Sequence, residues 1–415
     1  MTDEQVVEVR RLIDGLRWDR RRHPYRGRRE YAARAGEVAA EIEGLIGRGQ
    51  AAQAVPLARR AVERITSALM YLDDSPGIVG DQMRELMFLY ARACTAAPPD
   101  AVRLAAWLVK MQLDGPGWPE IRLAEFKNAL GERGLAELAR LVEERRATDD
   151  PGSWAVTWGV KDLREQLAAV SGDVDAHVAV LAEDLRGTYR YTEIVKVLRA
   201  AGRDDEAERW AREGLAQDGA GHQADVLRDR LVGLLLDGGR GDEAVALRRA
   251  ALEHRTLHRD YAALRKTAEQ ADQWPQVRDW ALDVIRDRAR ADHRYTAELL
   301  STLISENLLD EAWRLAVAHP KELHESQWFA LIELWEVGHP AEVIVPYQGL
   351  IERRLETVGD KYRYNKAVKS MVRLREAYRR SGNGAGFSGY LAGLRDRHKR
   401  KTSFIAKLDK AGLRP

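Results

Sequence analysis

Seven arginines crowd residues 17–31, RWDRRRHPYRGRREY, against only Asp19 and Glu30. Guanidinium forks match phosphate oxygens, and Trp18 and Tyr25 offer ring faces on which bases can stack. Arg20, Arg21, Arg22, Arg26, Arg28 and Arg29 are therefore candidate nucleic-acid contacts. The plainer reading has them solvated, or paired with acids of a neighbouring helix. A second basic cluster lies near the end of the chain. Residues 395–410 hold seven Lys and Arg against two Asp, and Lys399, Arg400 and Lys401 join the candidate set.

Aromatic and basic residues also recur together: Tyr189 and Tyr191 flank Arg190, and Arg259 precedes Tyr261 by two. Arg294 adjoins Tyr295, and Tyr362 and Tyr364 flank Arg363. Such a row fits an acidic peptide or a partner helix, so Tyr189, Tyr191, Arg259, Tyr261, Arg294, Tyr295, Tyr362 and Tyr364 are candidate protein contacts. Packing of the tyrosines between neighbouring structural repeats competes with that reading.

Catalytic patterns are lacking. Asp73 and Asp74 have no nearby histidine or third carboxylate in sequence, so capping of the helix after Pro76 is the simpler role. His254 and His258 are four apart, but HRTLH lacks the glutamate of a zinc-hydrolase helix. No phosphate-binding G-x-x-x-x-G-K-[ST] loop or G-x-S-x-G elbow occurs, and the glycine-rich SGNGAGFSG at 381–389 follows a helix rather than a strand. With Cys94 alone, neither an internal disulfide nor a cysteine metal site can form. Trp210, Trp280 and Trp313 read as core residues rather than cofactor contacts. The expectation is a protein that is not an enzyme and uses no cofactor or metal.

The elements that must position these residues are repeated helix pairs. In residues 194–217, with Ala207 as position zero, Trp210, Ala211, Gly214 and Leu215 follow at +3, +4, +7 and +8, one face of a helix. Ile194 at −13 and Leu198 at −9 mark the inner face of a preceding helix, and Gly202 at −5 stands at its end. The pattern recurs with zero at Ala244, Val277, Ala312, Val343 and Phe387. The −5 position is then Gly239, Asp272, Asn307, Gly338 and Gly382, residue types that tolerate left-handed backbone best. A further copy is centred on Ala54, with Gly49 at −5. Helix pairs of this size cannot bury their apolar faces alone and must stack. The spacing approaches that of tetratricopeptide repeats (TPRs), without their consensus.

These patterns predict an all-α fold: a TPR-like α-hairpin solenoid over residues 151–415 behind an N-terminal helical domain over 1–150. TDDPGS at 148–153 marks the boundary. Sixty-seven basic and 65 acidic residues leave a net charge of +2, so any affinity for polyanions must be local. No apolar leader or membrane-length span is present, which predicts a cytoplasmic protein that does not enter a membrane.

Residues 71–94, YLDDSPGIVGDQMRELMFLYARAC, with 97–109, 130–138 and the closing 397–413, resemble the helical region that follows the zinc finger in bacterial SWIM zinc-finger proteins. The finger's C-x-C…C-x-H ligands are missing, so zinc binding does not carry over. The resemblance implies a bacterial protein with a protein partner, such as an AAA+ ATPase or a SWIM-finger protein. The expected function is a non-catalytic helical-repeat scaffold. The alternative is a nucleic-acid-associated module that uses the 17–29 loop and the basic tail.

Overall fold

The computed structural model describes residues 3–18, 27–114, 121–148, 154–217, 219–357 and 359–414. Among them there are helices and turns and no strand. The first unit, Met1–Arg230, begins with α1 (Asp3–Asp14), α2 (Arg28–Gly47), α3 (Ala51–Leu69), α4 (Ile78–Ala96) and α5 (Ala101–Leu113). It continues through α6 (Leu123–Thr148), α7 (Trp154–Ser171), α8 (Val174–Ala182), α9 (Thr188–Ala200) and α10 (Asp204–Gln217). Helix α11 (Gly221–Asp237) follows, then α12 (Gly241–Arg255), α13 (His258–Gln270), α14 (Trp274–Ala291), α15 (Thr296–Ser305) and α16 (Leu309–Ala318). Last come α17 (Glu325–Trp335), α18 (Ile344–Glu356), α19 (Arg363–Arg380), α20 (Gly384–Arg397) and α21 (Thr402–Lys410). The second unit is Leu231–Pro415. The boundary that the sequence places at 148–153 falls largely outside the described residues.

The fold is an all-α set of TPR-like α-hairpins, and one turn geometry explains its regularity. Gly49, Gly202, Gly239 and Gly382 adopt φ between 70° and 75°, and Asp272 and Asn307 adopt φ 56°. A left-handed residue there turns the next N–H back into the helix just ended. The N–H of position −4 then donates to the carbonyl of −9: Arg203 to Leu198 at 2.9 Å, Arg240 to Leu235 at 2.8 Å, Leu308 to Leu303 at 2.9 Å and Asn383 to Tyr378 at 3.0 Å. This closes helix ends that would otherwise leave bare carbonyls. The second helix starts at position −3 in those repeats: Asp204, Gly241, Trp274, Leu309 and Gly384. The turn thus fixes the register of both helices, and Ile194, Leu198, Leu231, Leu235, Leu264, Ala268, Leu299, Leu303 and Leu374 are all buried.

The hairpin centred on Val343 departs from this pattern. Gly338 is not left-handed, α18 begins only after Val343, and no bond runs back to position 334. Leu334, expected inside, is 46% exposed, and Ala330 is exposed. The inner face of α17 is instead Trp328, Leu331, Ile332 and Trp335, one residue further along. Trp313 stacks on Trp335 at 5.3 Å and meets Trp328 edge-on at 6.1 Å. These large rings set the register where the turn does not.

Two further expectations are corrected, the basic tail and the core place of two of the tryptophans. Residues 395–410 are not a tail: they end α20 and form α21, with Phe404 and Leu408 buried in the second unit's core. His254 and His258 do not share one helix, because α12 ends before Thr256, whose backbone is left-handed at φ 56°. Trp313 is in the core as expected, while Trp210 and Trp280 are only half-buried.

Candidate functional site

The recurring aromatic–basic clusters lie where the first helix of a hairpin begins. Residues two apart on a helix point in nearly opposite directions. The structure divides the clusters accordingly. Tyr191 and Tyr261, both at position −16, are fully buried, so the candidate contacts lose both to packing. Tyr191 lies 5.9 Å from Trp210, and Tyr261 meets Trp274 edge-on at 5.5 Å. In the hairpin centred on Val343, position −16 is Gln327, which donates to Ala297 O at 2.8 Å and Ser301 Oγ at 3.0 Å on α15. Position −16 is therefore spent on packing, within its own hairpin at Tyr191 and Tyr261 and between hairpins at Gln327. Two residues earlier, at −18, Tyr189 is 51% exposed, and Arg259 and Arg294 are exposed. Arg294 is bound to Asp292 at 2.7 Å. Tyr295 is partly buried under Arg288, whose guanidinium lies 4.6 Å from its ring. Tyr362 is 54% exposed, with the Lys361 ammonium 4.9 Å from its ring, whereas Tyr364 packs against Phe404.

Several arginines of the array bind carboxylates of another helix. In the second unit Glu306, whose side chain is 5% exposed, is shared by Arg265 at 2.9 Å and Arg278 at 2.6 Å. Arg286 binds Glu311, Arg354 binds Glu325, Arg373 binds Glu333 and Arg397 binds Glu352. These pairs cross-brace the helices. Sequence reading missed them because the partners lie about one repeat apart.

The end of the second unit breaks the balance. Residues 353–414 contain eighteen Lys and Arg and five Asp and Glu. Lys399 pairs with Asp396 at 3.1 Å, and Lys401 donates to Leu355 O at 3.2 Å. Arg400 is exposed. Arg395 is held by Asp409 at 2.8 Å. Of the 17–29 loop, Arg20, Arg21, Arg22 and Arg26 lie outside the described residues. Arg29 is exposed, Arg28 is partly buried, and Trp18 packs edge-on against Tyr31 at 5.6 Å.

The Asp73–Asp74–Ser75 turn caps α4. Asp74 accepts from Val79 N at 3.1 Å and Gly80 N at 2.7 Å, and Asp73 accepts from Ser75 N at 2.9 Å. Cys94 is buried, and burial pushes its thiol up to about 11, although Tyr90 and Arg59 pull the other way. That favours the protonated thiol near neutral pH.

Two of the grooves on the first unit have charged or aromatic linings. One, of about 540 Å³, is lined by Lys161, Arg164, Glu183, Asp184 and Arg186. Its charges are joined: Arg164 forks onto Glu183 at 2.5 and 2.6 Å, and Lys161 meets Asp184 at 2.7 Å. Arg186 and Lys161 hold the Asp184 carboxyl well below the usual range, so it is a fixed charge and not a proton shuttle. The other, of about 500 Å³, runs between α3 and α5 past Arg59, Glu63, Met70, Trp107 and Met111. Trp107 Nε1 donates to Glu63 at 2.8 Å beneath the Arg59 guanidinium, 5.4 Å from the ring. Among the described residues no cluster of three His, Cys, Asp or Glu could hold a metal, and no helix is long and apolar enough to cross a membrane.

A family model described as a family of unknown function, DUF6880, matches residues 2–407. No curated protein matches the sequence. Among solved structures, a monomeric IFIT1 mutant with m7Gppp-AAAA is 13% identical, covers 99% of this chain and 95% of its own, and overlays with a TM-score of 0.28. A circular tandem repeat protein with novel repeat topology is 14% identical, covers 98% of this chain and 96% of its own, and overlays with a TM-score of 0.19.

Proposed function

The chain belongs to the DUF6880 family, and we propose that it works as a non-catalytic helical-repeat scaffold that holds a partner protein. The observation that carries this reading is the alternation at the start of the first helices. Position −16 is spent on internal packing, while −18 is left outside at Tyr189, Arg259 and Arg294. Rigid stacked hairpins present such positions with little ordering cost on binding. Aromatic and arginine side chains are the types that anchor protein contacts. The chemistry fits a partner segment carrying carboxylates. The resemblance to the helical region of SWIM-finger proteins makes a SWIM-finger protein or an AAA+ ATPase the first partner to look for, in the cytoplasm of a bacterium.

The test is affinity purification of the tagged full chain from its native host, beside a variant carrying Tyr189→Ala, Arg259→Glu and Arg294→Glu. A partner retained by the native chain and lost by the folded variant is the expected result. An unchanged set of partners would overturn this surface.

A further inference from the structure

We infer that the C-terminal end of the second unit, residues 353–414, binds the phosphate backbone of single-stranded nucleic acid. This reading is independent of the scaffold reading and uses different residues. The starting observation is charge that the fold does not consume. Arg354, Arg373 and Arg397 pair backwards onto Glu325, Glu333 and Glu352 of earlier helices. Arg353, Lys369, Arg400, Lys410 and Arg414 are exposed and make no ion pair among the described residues.

Several other cations there donate to backbone carbonyls or to a tyrosine hydroxyl and not to a carboxylate, Arg363 also reaching Tyr364 Oη at 3.2 Å. Lys401 reaches Leu355 O at 3.2 Å, Arg363 reaches Thr357 O at 3.3 Å and Arg375 reaches Gly412 O at 3.5 Å. A carbonyl satisfies a donor and suits the negative end of a helix, but it leaves the full positive charge in place. These contacts also bring the cations together across elements. Lys401 and Arg363 converge where α18 ends, one turn beyond Arg353. Arg375 brings α19 to Gly412, between Lys410 and Arg414.

A polar end cap is what any repeat array needs for solubility. That need is met by mixed charges, and a large single-sign field goes beyond it. The ligand class follows from the shape. Peptide recognition uses a groove or a sheet edge, and the grooves on this protein described above open on other elements. Backbone phosphates need only dispersed cations. Tyr362 adds a ring 54% exposed beside Lys361, which can stack on an unpaired base.

The experiment is fluorescence anisotropy of the full chain with a labelled ~20-nucleotide oligothymidylate, its duplex with oligoadenylate, and polyglutamate as competitor. Two charge-matched variants are compared: Arg353→Gln/Arg400→Gln/Lys410→Gln, and the control Arg48→Gln/Lys127→Gln/Arg133→Gln. Folding of each is checked by its circular-dichroism melt. Single strand is expected to bind more tightly than duplex. Neutralising about six phosphates predicts a fall of roughly 300-fold between ~50 and ~200 mM salt. The end variant should lose at least tenfold and the control less than twofold, and Tyr362→Ala should weaken the single strand alone. Equal loss in both variants, no binding at ~50 mM salt, or polyglutamate competing as well as the oligonucleotide would each overturn the inference, the last in favour of an acidic protein.

Discussion

The ring of Tyr191 on α9 occupies the space where a side chain at Gly214 on α10 would stand. A Cβ at 214 would lie 2.5 Å from Tyr191 Cγ, 2.7 Å from its Cβ and 2.7 Å from Leu227 Cδ2. Real Cβ atoms do not approach that closely, and a ring held at both Cβ and Cγ cannot swing aside. Gly214 is therefore required by its neighbour and not by its own backbone. An alanine normally favours a helix interior by about 1 kcal/mol over glycine. Overpacking costs typically about 1–3 kcal/mol. Gly214→Ala is expected to lower the melting temperature by a few degrees, and a melting temperature equal to or above that of the native chain would show that the close approach is not there.

The left-handed turns predict opposite signs for two substitutions at one template position. Gly202, at φ 71°, loses its freedom from Cβ clash when changed to alanine, at a cost of roughly 1–2 kcal/mol. Asp272 already bears that penalty at φ 56° and is exposed, so Asp272→Gly should relieve it. The expected gain is below about 1 kcal/mol, because glycine also loosens the unfolded chain. Urea denaturation of both variants, with m-values compared, reads these signs directly. A stabilising Gly202→Ala would contradict the shared geometry.

What could be read in the sequence was what repeats locally. Gly202, Asp272 and Asn307 disclosed the turns because few residue types accept that backbone, and a turn places the residues four and nine before zero. Gly338 misled because glycine permits a left-handed turn without enforcing one. There the tryptophans of α16 and α17 chose a register one residue away. Tyr189 and Tyr191 looked equivalent in sequence, and only the small residue at 214 hints at which ring turns inward. Glu306 with Arg278, 28 residues apart, carries no local signal at all. The basic end was visible, but a window of 395–410 was too narrow. It is α18 and α19 that bring Arg353, Arg363 and Arg375 to it.

Glu306 shows what that cross-bracing is worth. Its buried carboxylate accepts from Arg278 Nε and Arg265 Nη1, joining α13 and α14 to the end of α15. Both arginines are over a third exposed, and each keeps another acid, Glu269 for Arg265 and Asp279 for Arg278. Solvent therefore screens what is left behind. Glu306→Ala is expected to destabilise the protein by about 1–2 kcal/mol, less than the loss of a fully buried ion pair. Because the carboxylate is buried, the difference from the native chain should persist in ~0.5 M salt. A difference abolished by salt would mark the contact as an ordinary surface pair.

His258 couples the second unit to pH. Its backbone N–H donates to Glu298 at 2.7 Å, and its Nδ1 lies 3.2 Å from Thr302 Oγ1. Burial holds the ring below its ordinary value of 6.5, and the nearby Glu298 charge only partly opposes this. The unfolded chain keeps the ordinary value, so as pH falls through about 6.5 it takes up a proton that the folded ring resists. The stabilising contribution is complete above that pH and is lost as pH falls towards the folded value. One proton limits the slope to about 1.4 kcal/mol per pH unit. Denaturant melts at pH 7.5, 6.5 and 5.5, a range set roughly by that ordinary value, should show the native chain weakening on acidification. His258→Gln, which can still bond Thr302 but does not titrate, should flatten that slope. A slope identical in the two proteins would assign the acid sensitivity to other groups, His177 first, whose ring burial also depresses.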